Sequence, residues 1–173
     1  MNAHPQFSVV IPTRDYGRFL GCAIRSVLAQ RLPGLEIIVA DDGSKDDTAE
    51  VVSSFGGQVR YYTQPAGGTA AARNLGLRHA AGEFICFLDS DDAWVPGSVA
   101  PLLDVLRSQP EVDAAYGLVA QVNDNVFSSA LTEPDVWKQV ALPCWLAGGM
   151  VFRRTAFDRV GPLDETWTNA EWV

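Results

Sequence analysis

Residues 7–44, FSVVIPTRDYGRFLGCAIRSVLAQRLPGLEIIVADDGS, read as strand, loop, amphipathic helix, break and second strand. Residues 7–11 are a short β-branched run that Pro12 is expected to end. Tyr16, Phe19, Leu20, Ala23, Ile24, Val27 and Leu28 then recur at intervals of three and four, the spacing of one helix face. Pro33 and Gly34 break that helix, and residues 35–40 form a second strand. Asp41, Asp42, Gly43 and Ser44 follow directly, with Ser44 placed to cap a helix carrying Val51, Val52 and Phe55.

The same unit recurs outward from this stretch. Gly56 and Gly57 turn the chain into a third strand over 58–63, and Gly67, Gly68 and Thr69 lead into a helix over 70–80. Phe84, Ile85, Cys86, Phe87 and Leu88 make an apolar strand that opens onto Asp89, Ser90, Asp91 and Asp92. A helix near 98–107, a strand over 112–122, an irregular stretch over 123–143, a strand over 147–152 and a short helix over 155–160 complete the pattern. Strands alternating with helices predict an α/β fold with a mainly parallel sheet covered on both faces. Such sheets bind ligands beyond the carboxyl ends of their strands, where every acidic cluster falls.

At 173 residues, 47% of them hydrophobic and 20% charged, the chain has the length to bury one core, so residues 1–173 are expected to be a single domain. A formal net charge of -8 argues against nucleic acid or an anionic membrane as non-specific partner. No apolar stretch approaches the ~20 residues of a membrane-spanning helix, and no signal segment is visible. Cys22, Cys86 and Cys144 are widely spaced with no CxxC, which fits reduced thiols and a cytoplasmic setting.

Three carboxylates in four positions, Asp89, Asp91 and Asp92, repel one another unless a cation or hydrogen-bond donors compensate, so a hard divalent ion such as Mg²⁺ or Mn²⁺ is the first reading. The competing reading is an ordinary acidic loop before a helix near Pro96. Asp42, at a second strand end, can accept from a base imide or a sugar hydroxyl; its alternative is a turn role beside Gly43. Arg73 and Asn74, in the first turns of the helix after the glycine pair, can face a phosphate, or Arg73 can simply be exposed. Neither GxGxxG nor GxxxxGK[ST] occurs. His4 and His79 sit at a terminus and a helix end, and no Ser-His-Asp arrangement is visible. Trp137, Trp145, Trp167 and Trp172 form a late aromatic group suited to core packing or sugar stacking.

Three ordered stretches, FSVVIPTRDYGRFLGCAIRSVLAQ, LEIIVADDGSKDDT and AAARNLGLRHAAGEFICFLDSDDAWVPG, resemble the family 2 glycosyltransferases of GT-A fold, nearly continuously over 7–97. The later GGMVFRRTAFDRVGPLDE is similar to the family's second half. The resemblance implies a Rossmann-like three-layer sandwich whose first half, 7–97, binds a nucleotide-diphosphate sugar, most simply a UDP-sugar, and whose second half, 98–173, binds an acceptor of unknown chemistry. It implies that Pro12, Thr13 and Asp42 line a nucleoside pocket with Asp41 beside it. Asp91 and Asp92 would hold ribose and metal, with Asp89 completing a DxD pattern. It further implies inversion at the anomeric carbon, driven by a carboxylate base.

The departure from the family pattern is the base. Glu171 is the carboxylate in the segment where the family carries one, or it precedes a base beyond Val173, in which case this chain is a fragment that binds donor without transferring it. A phosphatase of haloacid-dehalogenase type and a receiver-type signalling domain also place aspartates after apolar strands. Ala93 after Asp92 does not suit the first, and the late Lys-Pro expected of the second is missing.

Overall fold

The computed structural model describes residues 5–117, 121–123, 126–128 and 149–166. In chain order the elements are β1 (Phe7–Thr13), α1 (Gly17–Leu28), β2 (Leu35–Asp41), α2 (Thr48–Ser53), β3 (Val59–Thr63), α3 (Thr69–His79), β4 (Phe84–Phe87), α4 (Ala100–Ser108), β5 (Ala114–Tyr116), β6 (Gln121–Asn123), β7 (Val126–Ser128), β8 (Met150–Arg153) and α5 (Arg154–Val160). One sheet runs in the order β3-β2-β1-β4-β8-β5, and β6 and β7 form a separate antiparallel pair. β1 to β4 are mutually parallel, while β8 lies antiparallel between β4 and β5.

The period of two along each central strand divides the core into two layers. Val9, Ile11, Ile37 and Val39 face Leu20, Ile24 and Val27 of α1, Val52 of α2, and Leu103 and Leu106 of α4. Val10, Ile38, Ala40, Ile85 and Phe87 face Leu75 of α3, with Phe157 of α5 and Leu163 packed against them. The product is a three-layer α/β/α sandwich, the class the alternation predicts.

Three local expectations need correction. Pro12 does not end the first strand, because β1 continues to Thr13. Val10 accepts from Leu88 on the β4 side, and alternation points the Pro12 nitrogen to that same side, where pairing with β4 has already stopped at Val10 and Phe87. The missing N–H therefore deletes no ladder bond. Ser44 does not cap α2, since the N-cap residue is Asp47 and no side chain caps that end. The single strand expected over 112–122 is instead β5 and β6, in different sheets, separated after Tyr116 at Gly117.

The sheet order also shows how the chain is wound. It steps from β1 to β2 to β3 on one side, then returns to place β4 on the other side of β1. The carboxyl ends of β1 and β4 thus flank a topological switch point, the place where open α/β sheets leave a crevice. At the far edge, the Gly117 N–H donates to the Gly149 carbonyl at 3.0 Å, closing the base of the span between them.

Candidate functional site

Thr13, Asp41 and Asp42 meet where β1 and β2 end. Thr13 lies opposite Asp41 in the register, and the Asp42 N–H donates to the Thr13 carbonyl at 2.9 Å. All three side chains are buried, as is Pro12. Asp41 Oδ1 accepts from the Ser44 N–H at 2.8 Å and the Ser44 hydroxyl at 2.6 Å, and Oδ2 accepts from the Tyr61 hydroxyl. Burial, reinforced by that bond and by the charges of Asp41 and Asp46, pushes the Tyr61 phenol up, so it remains a donor throughout the physiological range.

Asp42 is fully buried and turned toward the 64–68 loop. Its Oδ1 accepts from Gln64 Nε2 at 2.9 Å and the Gly67 N–H at 2.8 Å; its Oδ2 accepts from the Gly68 N–H at 2.8 Å, with the Arg14 guanidinium 3.8 Å away. Gly43 makes this approach possible. Its φ is +80°, and an added Cβ would come within 3.2 Å of the Gln64 carbonyl. The turn role weighed for Asp42 is therefore present, and its carboxylate organises a loop on the crevice side.

β4 delivers the other cluster. Leu88 and Ser90 are buried, Asp89 is partly exposed, and Asp91 and Asp92 are exposed, so the chain turns out of the core within four residues. The Asp92 N–H donates to the Asp89 carbonyl at 3.0 Å. Arg73 Nη2 donates to Asp89 Oδ1 at 2.7 Å. The guanidinium expected at a phosphate is thus brought to an aspartate, while Asn74 points elsewhere, to Leu163 and Glu165. Asp92 is exposed by surface area, yet nearby protein atoms strip part of the water from its carboxyl and push it up, and the neighbouring charges of Asp89 and Asp91 push it the same way.

Among the described residues no three His, Cys, Asp or Glu side chains converge closely enough to hold a metal by themselves. The donor set still suits a divalent ion of the kind bound by one or two carboxylates plus substrate phosphate oxygens. Two exposed carboxylates, one of them repelled by its neighbours, would gain from a cation. Two buried polar atoms at the same end of the sheet, Thr13 Oγ1 and Arg73 Nε, have no hydrogen-bond partner among the described residues. Such orphaned atoms are what a ligand or water satisfies.

Residues 8–161 match the family model described as Glycosyl transferase family 2. The chain belongs to glycosyl transferase family 2. An uncharacterized glycosyltransferase of Nostoc sp. is 30% identical, over 92% of this chain and 54% of its own length. The UDP-Glc:alpha-D-GlcNAc-diphosphoundecaprenol beta-1,3-glucosyltransferase of Escherichia coli is 31% identical, over 73% of this chain and 51% of its own. The chain therefore spans about half the length of these curated relatives. The crystal structure of S. aureus TarS in complex with UDP has TM-score 0.75 at 21% identity, covering 95% of this chain and 52% of that one. The mannosyltransferase PcManGT from Pyrobaculum calidifontis, in complex with GDP-Man and Mn²⁺, has TM-score 0.72 at 23% identity, covering 95% and 49%. At these identities the likeness shows the fold, which is of GT-A type. Family membership sets aside the phosphatase and receiver-type alternatives.

The expected base, Glu171, lies outside the described residues, as do His4, Cys144 and the four late tryptophans. Among the described residues no helix is long and apolar enough to cross a membrane. Sequence reasoning missed Tyr61 and Gln64, which carry no signal beyond their places in and just after β3.

Proposed function

We propose that this chain transfers a sugar from a nucleotide-diphosphate sugar, a UDP-sugar in the first instance, to an acceptor hydroxyl with inversion at the anomeric carbon. The observation that supports this best is that two acidic strand ends, of β2 and β4, flank β1 at the carboxyl edge of the sheet, where Thr13 Oγ1 and Arg73 Nε are buried and unpartnered among the described residues. In this reading residues 7–97 are the donor half and 98–173 the acceptor half. Pro12, Thr13 and Asp42 line the nucleoside pocket with Asp41 beside it, and Asp42 also holds the 64–68 loop. Asp91 and Asp92 face the ribose and the metal, with Asp89 steadied by Arg73.

Asp91 and Asp92 would hold Mn²⁺ or Mg²⁺, which when bound supplies positive charge to offset that of the departing diphosphate. The chain's own part is to fix the donor and to take the acceptor's proton. As a carboxylate removes that proton, the freed oxygen attacks the anomeric carbon from the face opposite the diphosphate, and the bond to the diphosphate oxygen breaks. Glu171 is the carboxylate proposed for this step. Free Cys22 and Cys86 suit a reducing, cytoplasmic setting. Calorimetric titration of the chain with UDP, in Mn²⁺ and again in EDTA, tests the proposal. Metal-dependent binding is expected, and none from a folded sample would reject it.

A further inference from the structure

Asn74 is only 2% exposed and sits in the middle of α3, where an alanine such as those at 70, 71 and 72 is a better helix former. Its side chain behaves like the backbone of an adjoining strand. Oδ1 accepts from the Leu163 N–H at 2.9 Å, and Nδ2 donates to the Leu163 carbonyl at 2.9 Å. Nδ2 also reaches Glu165 Oε1 at 2.7 Å. Both amide hydrogens and the carbonyl are engaged, a set that neither an aspartate, with no N–H, nor an apolar side chain can reproduce. The Leu163 side chain already packs on the core layer around Leu75. The amide therefore adds register and direction to the 163–165 turn more than burial.

The neighbouring residue on the same helical turn, Arg73, holds Asp89. Two adjacent positions of one rigid element thus tie down two segments far apart in sequence, the 89–92 cluster and the 163–165 turn. Within the turn, the Asp164 carboxylate accepts from the Thr166 N–H at 2.9 Å and its hydroxyl at 2.7 Å.

We propose that Asn74 is a positioning residue for transfer: it fixes the 163–165 turn against the helix that steadies Asp89, so that the acceptor side and the donor side of the site keep one relative geometry. Asn74 touches no donor in this account and acts through Leu163 and Glu165. The inference rests on the proposed transferase reading. A misplaced acceptor side lowers the rate of the chemical step, because near-attack geometry is lost, while donor affinity, set at the other strand ends, is retained.

The test compares wild type, Asn74→Ala, Asn74→Asp and Asn74→Leu. Three quantities are measured: UDP affinity in Mn²⁺, the kcat and donor KM for UDP release from UDP-sugars with a panel of alkyl glycosides as acceptors, and amide exchange of residues 163–166. Asn74→Leu keeps burial and helix propensity, so it guards against a variant that merely fails to fold. All three variants are expected to speed exchange at 163–166 and to lower kcat by roughly 10- to 100-fold, with UDP affinity and donor KM within about threefold of wild type. Equal losses in affinity and kcat, or a lower melting temperature with unchanged kcat, would overturn the inference. So would a wild-type chain that binds UDP and turns nothing over, since the turn would then serve no transfer. A wild-type chain that binds no UDP with Mn²⁺ rejects the proposed function itself, whatever Asn74 does.

Discussion

Arg73 and Asp89 form an ion pair at 2.7 Å, joining the middle of α3 to the loop that follows β4. The pair is mostly shielded on the arginine side, and Arg73 Nε is left without a partner among the described residues. One N–H of the guanidinium is spent on the aspartate, while the buried Nε–H is left for another acceptor. Arg73→Ala should cost about 1.5–3 kcal/mol in urea unfolding, the range for a hydrogen bond to a charged group, and should weaken UDP binding. Unchanged stability and unchanged binding together would show that the pair is only a surface contact.

Asp91→Asn and Asp92→Asn should abolish metal-dependent UDP binding without lowering the melting temperature. Both side chains are exposed, and removing one charge from a repelling group does not weaken a fold that gains nothing from it. Calorimetry and thermal denaturation of the same samples separate binding from folding.

Asp42→Asn should behave differently, although it too exchanges a carboxylate for an amide. Asp42 is buried and surrounded by N–H donors from Gln64, Gly67 and Gly68, so a new NH₂ group would face donors in place of an acceptor. A loss of about 1–3 kcal/mol is expected, with faster amide exchange at Gly67 and Gly68. Stability equal to wild type would show that the loop does not depend on this carboxylate.

Gly76→Ala places a Cβ 2.1 Å from Val10 Cγ1, the point where α3 presses on β1. Alanine favours the helix by about 1 kcal/mol over glycine, yet overpacking of this kind typically costs about 1–3 kcal/mol. The clash is with a core side chain, so net destabilisation is expected, and denaturant titration gives its sign directly. Because α3 carries Arg73 and Asn74, UDP affinity and turnover should fall with it.

Glu36 supplies the pH dependence, at the opposite pole of the sheet from the site. Burial pushes its carboxyl up, but donors from the Ser8 hydroxyl, the Ala81 N–H and Arg60, with the charge of Arg60, outweigh burial and hold it below the usual glutamate value. A depressed folded value means that Glu36 contributes stability above its unfolded pKa, about 4.3, and loses it as pH falls through the lower folded value. The stability gap between wild type and Glu36→Gln should therefore be largest above about pH 5 and shrink below pH 4. A gap that widens on acidification would contradict this account.

The layers of the fold were legible because the central strands are covered on both faces and the helices carry their apolar residues at helical spacing. Pro12 and Ser44 were misread because their roles depend on partners in space. The first is harmless only because β4 has stopped beside it, and the second is drawn to Asp41 and Asp15 instead of a helix end. The strand ends that carry Asp41, Asp42 and Asp89 to Asp92 were readable as a candidate site. Which side chains they meet was not, since Tyr61, Gly67 and Arg73 reach them across 20, 25 and 16 residues of sequence. Nothing local in Asn74 signals a bond to Glu165, 91 residues away.

The hydrogen bond from Gly117 to the Gly149 carbonyl has a consequence for how such a chain can change. The span leaves and rejoins the sheet at one point, between neighbouring strands β5 and β8, and each doubling of such a span adds only about 0.6 kcal/mol of closure cost. A change in length between those two points is therefore cheap, and β1, β2 and β4 with their acidic ends lie outside it.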